Sequence, residues 1–163
     1  MTLNAMRRAC EPTLRRLFHL YWRFARGMTL GVRAVVINDA DRIFLVKHTY
    51  VHGWHLPGGG VEVGQTLAEA LRRELVEEGN IVLTAEPALH GVFLNDHVSA
   101  RDHVAVYVVR AFAQTHLPQP NREIAECGFF DPRALPQDTT EGTRRRIAEV
   151  MLNTLPTARW RGT

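Results

Sequence analysis

The stretch Pro57–Asn80, PGGGVEVGQTLAEALRRELVEEGN, constrains the fold more than any other part of the chain. Its first half is glycine-rich and reads as a loop. From Thr66 to about Glu78, Leu67, Leu71 and Leu75 recur at i, i+4 and i+8, which predicts an amphipathic helix. That helix carries Arg73, Glu74, Glu77 and Glu78, so three carboxylates lie within about 100° of one another. Like charges this close repel, and a bound divalent cation removes the repulsion. Hard oxygen ligands suit Mg²⁺ or Mn²⁺, which keep some waters and bind substrate phosphates directly. A solvated acidic helix face is the plain alternative. The glycine entry, Arg73 at i−4 to Glu77 and the three-carboxylate geometry together weigh against it.

The loop invites a different reading. Gly59 to Thr66 matches the spacing of GxxxxGK[ST], except that Gln65 stands at the lysine position. A neutral amide does not replace the lysine's charge on terminal phosphates. A phosphate loop of that kind also follows a buried strand, whereas here the preceding run is TYVHGWHLP. The strands after the helix come in succession, without the crossover helices that a parallel sheet needs. The match is therefore set aside.

Three parts follow along the chain: residues 1–28, a main domain over 29–155, and a loose tail over 156–163 that opens with Pro156. GVRAVVIND and DRIFLVKHT read as two strands around the turn Asn38–Asp41. IVLT, ALHGVFLN, HVAVYVVRAF and ECGFF are further strands, and residues 139–153 read as a closing helix. Two cysteines, Cys10 and Cys127, exclude a disulfide framework and a cysteine-bound zinc, so a reducing, cytoplasmic setting fits. The net charge of +3 is unevenly placed. Residues 1–30 hold six arginines against Glu11, and the remainder is slightly acidic, so no nucleic acid partner is expected for the body.

Residues 12–27 predict a basic amphipathic helix with Leu14, Leu17, Tyr21, Phe24 and Ala25 on one side. Three uses stand open for it. It packs on the domain or on a second subunit, as in a homodimer; it lies peripherally on an anionic membrane; or it is an import presequence.

With these residues in view, the segment resembles the Nudix box, GX5EX7REUXEEXGU, where U is aliphatic. Laid from Gly59, the box matches at Arg73, Glu74, Leu75, Glu77, Glu78 and Ile81. Gln65 departs where the family has Glu, and Asn80 where it has Gly. The likeness extends over about residues 29–150 through an opening hairpin, GWHLPGGG and EIAECGFFDPRALP. It implies an α+β fold, an α/β/α sandwich with a mixed β-sheet, here with the extra N-terminal helix. It also implies Mg²⁺-dependent hydrolysis of a diphosphate linkage in a nucleoside diphosphate derivative, such as a nucleotide sugar, ADP-ribose or an NTP. By this resemblance Glu74, Glu77 and Glu78 are metal ligands, and Glu74 doubles as general base. Arg73 orients the cluster, and the backbone at Gly58 and Gly59 approaches metal and phosphates. Gln65 removes a carboxylate from the edge of the site and implies fewer or weaker metal ions. Asn80 is milder, because Asn tolerates the left-handed conformation after a helix.

Substrate contacts are sought in Trp54 and His55, in Arg101 and His103 of a loop near the site, and in Glu123, preferred over Glu126 as a further carboxylate. Core packing for Trp54 and plain solvated loops for the others are the competing readings. A catalytically weak nucleotide-derivative sensor on the same fold is the alternative function. The intact carboxylates argue against it.

Overall fold

The computed structural model describes residues 25–161, together with Phe18, Tyr21 and Trp22. The strands are β1 (Thr29–Val36), β2 (Ile43–His48), β3 (Trp54–His55), β4 (Ile81–Leu83), β5 (Ala88–Leu94), β6 (Asp102–Val109), β7 (Phe112–Gln114) and β8 (Ile124–Phe130). The helices whose full span lies among the described residues are α1 (Leu67–Gly79) and α2 (Glu141–Met151). The basic helix expected over residues 12–27 lies largely outside the described residues. Among the described residues no helix is long and apolar enough to cross a membrane.

Three sheets form, in the orders β1-β6-β5, β3-β2-β8 and β4-β7. β1 and β6 run parallel over their full length, from Thr29 opposite Asp102 to Val36 opposite Val109. β5 then pairs antiparallel with β6, so this sheet is mixed. The mixed sheet that the resemblance implies is present, and its parallel pair needs no crossover helix after α1, because everything from β2 to β5, with α1 among it, serves as the crossover. The opening hairpin keeps its turn but almost none of its pairing. β1 and β2 share one antiparallel bridge, Ile37 to Ile43, and then diverge, because β1 takes β6 as its partner and β2 takes β3 and β8.

Alternation along the strands builds the sandwich. Val32, Ala34 and Val36 of β1, Phe44 and Val46 of β2, and Ala105 and Val109 of β6 join Ala70, Leu71 and Leu75 of α1 in one buried cluster. Val35, Ile37, Ile43, Leu45, Val104 and Val106 point the other way and pack with Leu56, Phe93 and Ile147 of α2. Each fully buried Leu of α1 contributes about 2 kcal/mol relative to exposure. Helix, sheet and helix therefore form an α/β/α sandwich, and both faces of β1 and β2 are covered.

Local chemistry fixes the ends of α1. Thr66 caps it in a capping box: the Glu69 backbone N–H donates to the Thr66 hydroxyl, and the Glu69 carboxylate accepts from the Thr66 N–H at 2.8 Å. Asn80 ends it at φ 51°, ψ 31°, the left-handed region, with its N–H on the carbonyls of Leu75 and Val76. The glycine loop then runs beside β1 like a further strand. Val32 N–H donates to the Gly59 carbonyl at 2.9 Å, Ala34 N–H to that of Pro57 at 3.0 Å, and Val61 N–H to that of Leu30 at 2.9 Å. This clamps the loop across the end of α1 that bears the carboxylates.

Candidate active site

Loop and helix meet in a cleft of about 810 Å³ lined by Gly58, Gly59, Gly60, Arg73, Glu74, Glu77 and Glu78, with Arg33, His48, Tyr50 and Glu123. Glu78 is buried, and its Oε2 accepts the Gly58 N–H at 2.7 Å. Glu74 is nearly as buried, and its Oε1 lies 2.8 Å from Arg73 Nη1. Glu77 is the open member and meets the same Nη1 at 3.3 Å. Arg73 Nη2 donates to the Gly60 carbonyl at 3.2 Å, so one guanidinium ties helix to loop.

The glycines are required by contact. A Cβ at Gly59 would run into the Glu74 carboxylate. Gly58 has φ 135°, and a Cβ there would strike the Val32 carbonyl. Arg33 reinforces the loop from β1 by donating to the carbonyls of Leu56 and Gly58.

Burial sets the electrostatics. It pushes the Glu78 carboxyl up to about 7, against the opposing pull of the Gly58 N–H and Arg33, and Glu74 and Glu123 push it further up. Burial also raises Glu74, which Arg73 partly offsets. His48 is pushed down to about 4 by burial, with Arg33 and His55 adding to the effect. It is therefore neutral near pH 7, and its 3.5 Å approach to Glu78 Oε1 is a contact rather than an ion pair. Of the two buried carboxylates, only Glu74 has an arginine against it, and Arg73 shares its charge between Glu74 and Glu77.

The expected residues divide. Arg73, Glu74, Glu77, Glu78, Gly58, Gly59, His55 and Glu123 share the cleft. Trp54 does not: it is buried in the core and packs edge-on to Phe130 at 4.8 Å, because β3 pairs it opposite Lys47. Arg101 and His103 also lie off the cleft wall, since β6 already starts at Asp102 and carries His103 into the sheet. Glu126 is exposed on β8 opposite Lys47. Gln65 is not part of the cleft wall. Its Oε1 accepts the Glu62 N–H at 3.1 Å, and its own N–H donates back to the Glu62 carbonyl.

Arg33, His48 and Tyr50 escaped the reading of the sequence. The signal for the first was a lone arginine inside the apolar run GVRAVV. A second cleft, of about 670 Å³, lies against α2. Its Asp131 and Arg133 pair with each other at 3.1 Å, which holds the Asp131 carboxyl below its usual range. Nothing there resembles the buried, raised acids of the first cleft.

The NUDIX domain model matches residues 27–150. The chain belongs to the NUDIX family. A MutT NUDIX hydrolase from Burkholderia pseudomallei is similar in structure, with TM-score 0.64 and 28% identity, covering 75% of this chain and 97% of that one. A UDP-X diphosphatase is similar at TM-score 0.63 and 27% identity, covering 77% of this chain and 64% of that one. An RNA pyrophosphohydrolase of Legionella pneumophila is 38% identical over 52 residues, 32% of this chain and 30% of the relative. The chain thus spans about a third of the length of the curated relatives it matches.

NUDIX enzymes generally use divalent metals, typically Mg²⁺. No three acidic, His or Cys groups among the described residues converge into a finished cage. The donor set still fits such an ion. It is all oxygen, burial raises two of its carboxylates above their ordinary range, and the side-chain-free backbone at Gly58 and Gly59 lies against them.

Proposed function

We propose that this NUDIX protein is a Mg²⁺-dependent hydrolase that cleaves a diphosphate linkage in a nucleoside diphosphate derivative. The observation that carries the reading is the placement of Glu74, Glu77 and Glu78 beside the glycine backbone in one cleft. The names of similar proteins support the class. UDP-X diphosphatase, RNA pyrophosphohydrolase and ADP-ribose pyrophosphatase name different substrates and one diphosphate chemistry, and the MutT protein is named a hydrolase.

Glu74, Glu77 and Glu78 would hold the cation, with the Gly58 backbone beside it. When bound, it supplies charge neutralisation for the diphosphate and a lowered pKa for the attacking water. The remaining work falls to the chain. Glu74 takes the proton from water at a carboxylate oxygen, and burial raises its basicity for that task. Arg73 holds Glu74 Oε1 in place. The new P–O bond forms as the bridging P–O bond breaks, and the departing phosphate carries the bridging oxygen away. Arg33 fixes the loop through two carbonyls and so keeps the Gly58 N–H on Glu78.

A hydrolysis screen across nucleotide sugars, ADP-ribose, NTPs and dinucleoside polyphosphates, with Mg²⁺ and with chelator, tests this. Turnover of at least one class, lost in Glu78→Gln, is expected. No turnover of any, or equal turnover by the variant, sinks the enzyme reading and favours a ligand-binding sensor.

A further inference from the structure

Residues 156–161 read in sequence as part of a loose tail, yet a buried charge network holds them. Arg146 on α2 is fully buried. Its Nη2 donates to Glu149 Oε1 at 2.7 Å and to Thr157 Oγ1 at 2.9 Å, and its Nη1 donates to the Arg159 carbonyl at 3.1 Å. Its guanidinium also lies over the Phe93 ring at 3.9 Å. Glu149 accepts in turn from the Thr157 N–H at 3.2 Å, and His90 Nε2 lies 3.0 Å away.

The segment adds to the free edge of β5. Leu94 N–H donates to the Ala158 carbonyl at 3.0 Å, and Trp160 N–H to the Leu94 carbonyl at 2.9 Å. Arg159 pairs with Asp96. An edge pairing alone leaves register loose, and a one-residue slip reverses every side chain. Arg146 removes that freedom, because it grips the segment at two points, Thr157 and Arg159. Trp160 then lands on Gly142 at the start of α2, where a Cβ would collide with the indole. The same register delivers Trp160 and Arg161 into the wall of the carboxylate cleft.

Charge gives this placement a purpose. The cleft wall holds five acids: Glu74, Glu77, Glu78, Glu123 and Asp102. Of its arginines, Arg33 is engaged with loop carbonyls, and Arg73 with Glu74, Glu77 and the Gly60 carbonyl. Arg161 has no hydrogen-bond or ion-pair partner among the described residues. An entering diphosphate is repelled by the acids and needs a cation that is not already engaged.

We propose that the segment Thr157–Arg161 is a built wall of the substrate cleft, and that Arg161 is a substrate-binding residue that binds phosphate oxygens of a nucleoside diphosphate. The inference rests on the function proposed above. Calorimetric binding of α,β-methylene-ADP, a non-hydrolysable nucleoside diphosphate, to the full chain tests it in Mg²⁺ and in EDTA. Arg161→Gln should weaken Kd roughly tenfold or more in both buffers, as loss of a charge-assisted hydrogen bond implies. Arg161→Lys should recover part of the affinity, since it keeps charge without the planar fork. The unfolding midpoint should stay unchanged, because this side chain lies outside the buried network. An unchanged Kd in Arg161→Gln, with wild-type binding intact, overturns this inference and leaves the proposed function standing. Absence of wild-type binding in Mg²⁺, together with no turnover in the hydrolysis screen, overturns both.

Discussion

Glu149→Gln probes the network that seats the cleft wall. It removes the only carboxylate bonded to Arg146 among the described residues, and it does so without changing side-chain size. Breaking a buried ion pair costs about 3–5 kcal/mol, because the remaining charge is left uncompensated. The lower end applies here, since Arg146 keeps Thr157 Oγ1, the Arg159 carbonyl and the Phe93 face. A loss of about 3 kcal/mol in a chain of this size lowers Tm by roughly 6–12 °C. The effect has a pH signature. Burial pushes the Glu149 carboxyl up, but His90, the Thr157 N–H and Arg146 outweigh it, so its pKa lies below the ordinary value. A depressed carboxyl stabilises the fold above its unfolded pKa, and that stability is lost as pH falls through the folded pKa. Urea unfolding should therefore show the wild type ahead by the full margin at neutral pH, with the margin shrinking below the ordinary carboxylate range. Arg146→Met combined with Glu149→Leu should regain most of the loss, because a packed apolar pair replaces the charges. A neutral-pH difference under about 1 kcal/mol, within the reach of an ordinary surface change, would refute the reasoning, as would a margin that does not vary with pH.

Other outcomes follow from the cleft. Glu78→Gln should cut Mg²⁺-dependent hydrolysis at least about tenfold, the loss expected even from outer metal partners. In chelator the same variant should gain stability over wild type above pH 7, because burial holds the folded Glu78 carboxyl at about 7 and ionising it costs the fold. That gain should vanish in acid, and thermal unfolding across pH reads it. Gly59→Ala should lower turnover without unfolding the chain, since the added methyl displaces the Glu74 carboxylate; circular dichroism beside the activity assay separates the two effects. Gln65→Glu should leave stability within about 0.5 kcal/mol and metal dependence unchanged, because the side chain closes a turn on Glu62 and is not part of the cleft wall. A metal titration of both proteins checks it.

Local patterns were readable in the sequence, and long-range ones were not. The leucine spacing places α1 within a residue of its observed span, and apolar runs bounded by turn residues place β1, β2, β5 and β6. The parallel pairing of β1 with β6 leaves no mark in either strand, since both are buried on two faces and read as plain apolar runs. The two-residue β3 is too short to show a period. In the site, helix spacing alone gathers Glu74, Glu77 and Glu78. Arg33 and His48 come from other strands, and only the folded sheet brings them near Glu78. The tail misled for a similar reason. Pro156 signals a break in helix, while the arginine that binds the tail lies on α2 and looks like one of three in the run Arg144–Arg146.

The two sets of buried charges in this fold differ in a way that separates structure from function. Around Arg146 every neighbouring acid is answered: the Glu149 carboxyl sits below its usual range because donors outweigh its burial. Around Gly59 the balance is reversed, and Glu74 and Glu78 are held above theirs because burial outweighs the donors present. A fold under selection for stability alone would replace such acids with apolar side chains or add partners. The chain instead uses glycine, an ordered loop and Arg33 to hold them where they are. In the function proposed above, a divalent ion would supply the missing positive charge. The glycine loop and the carboxylate helix thus read as one site, because neither the loop's lack of side chains nor the helix's buried, raised acids make sense without the other.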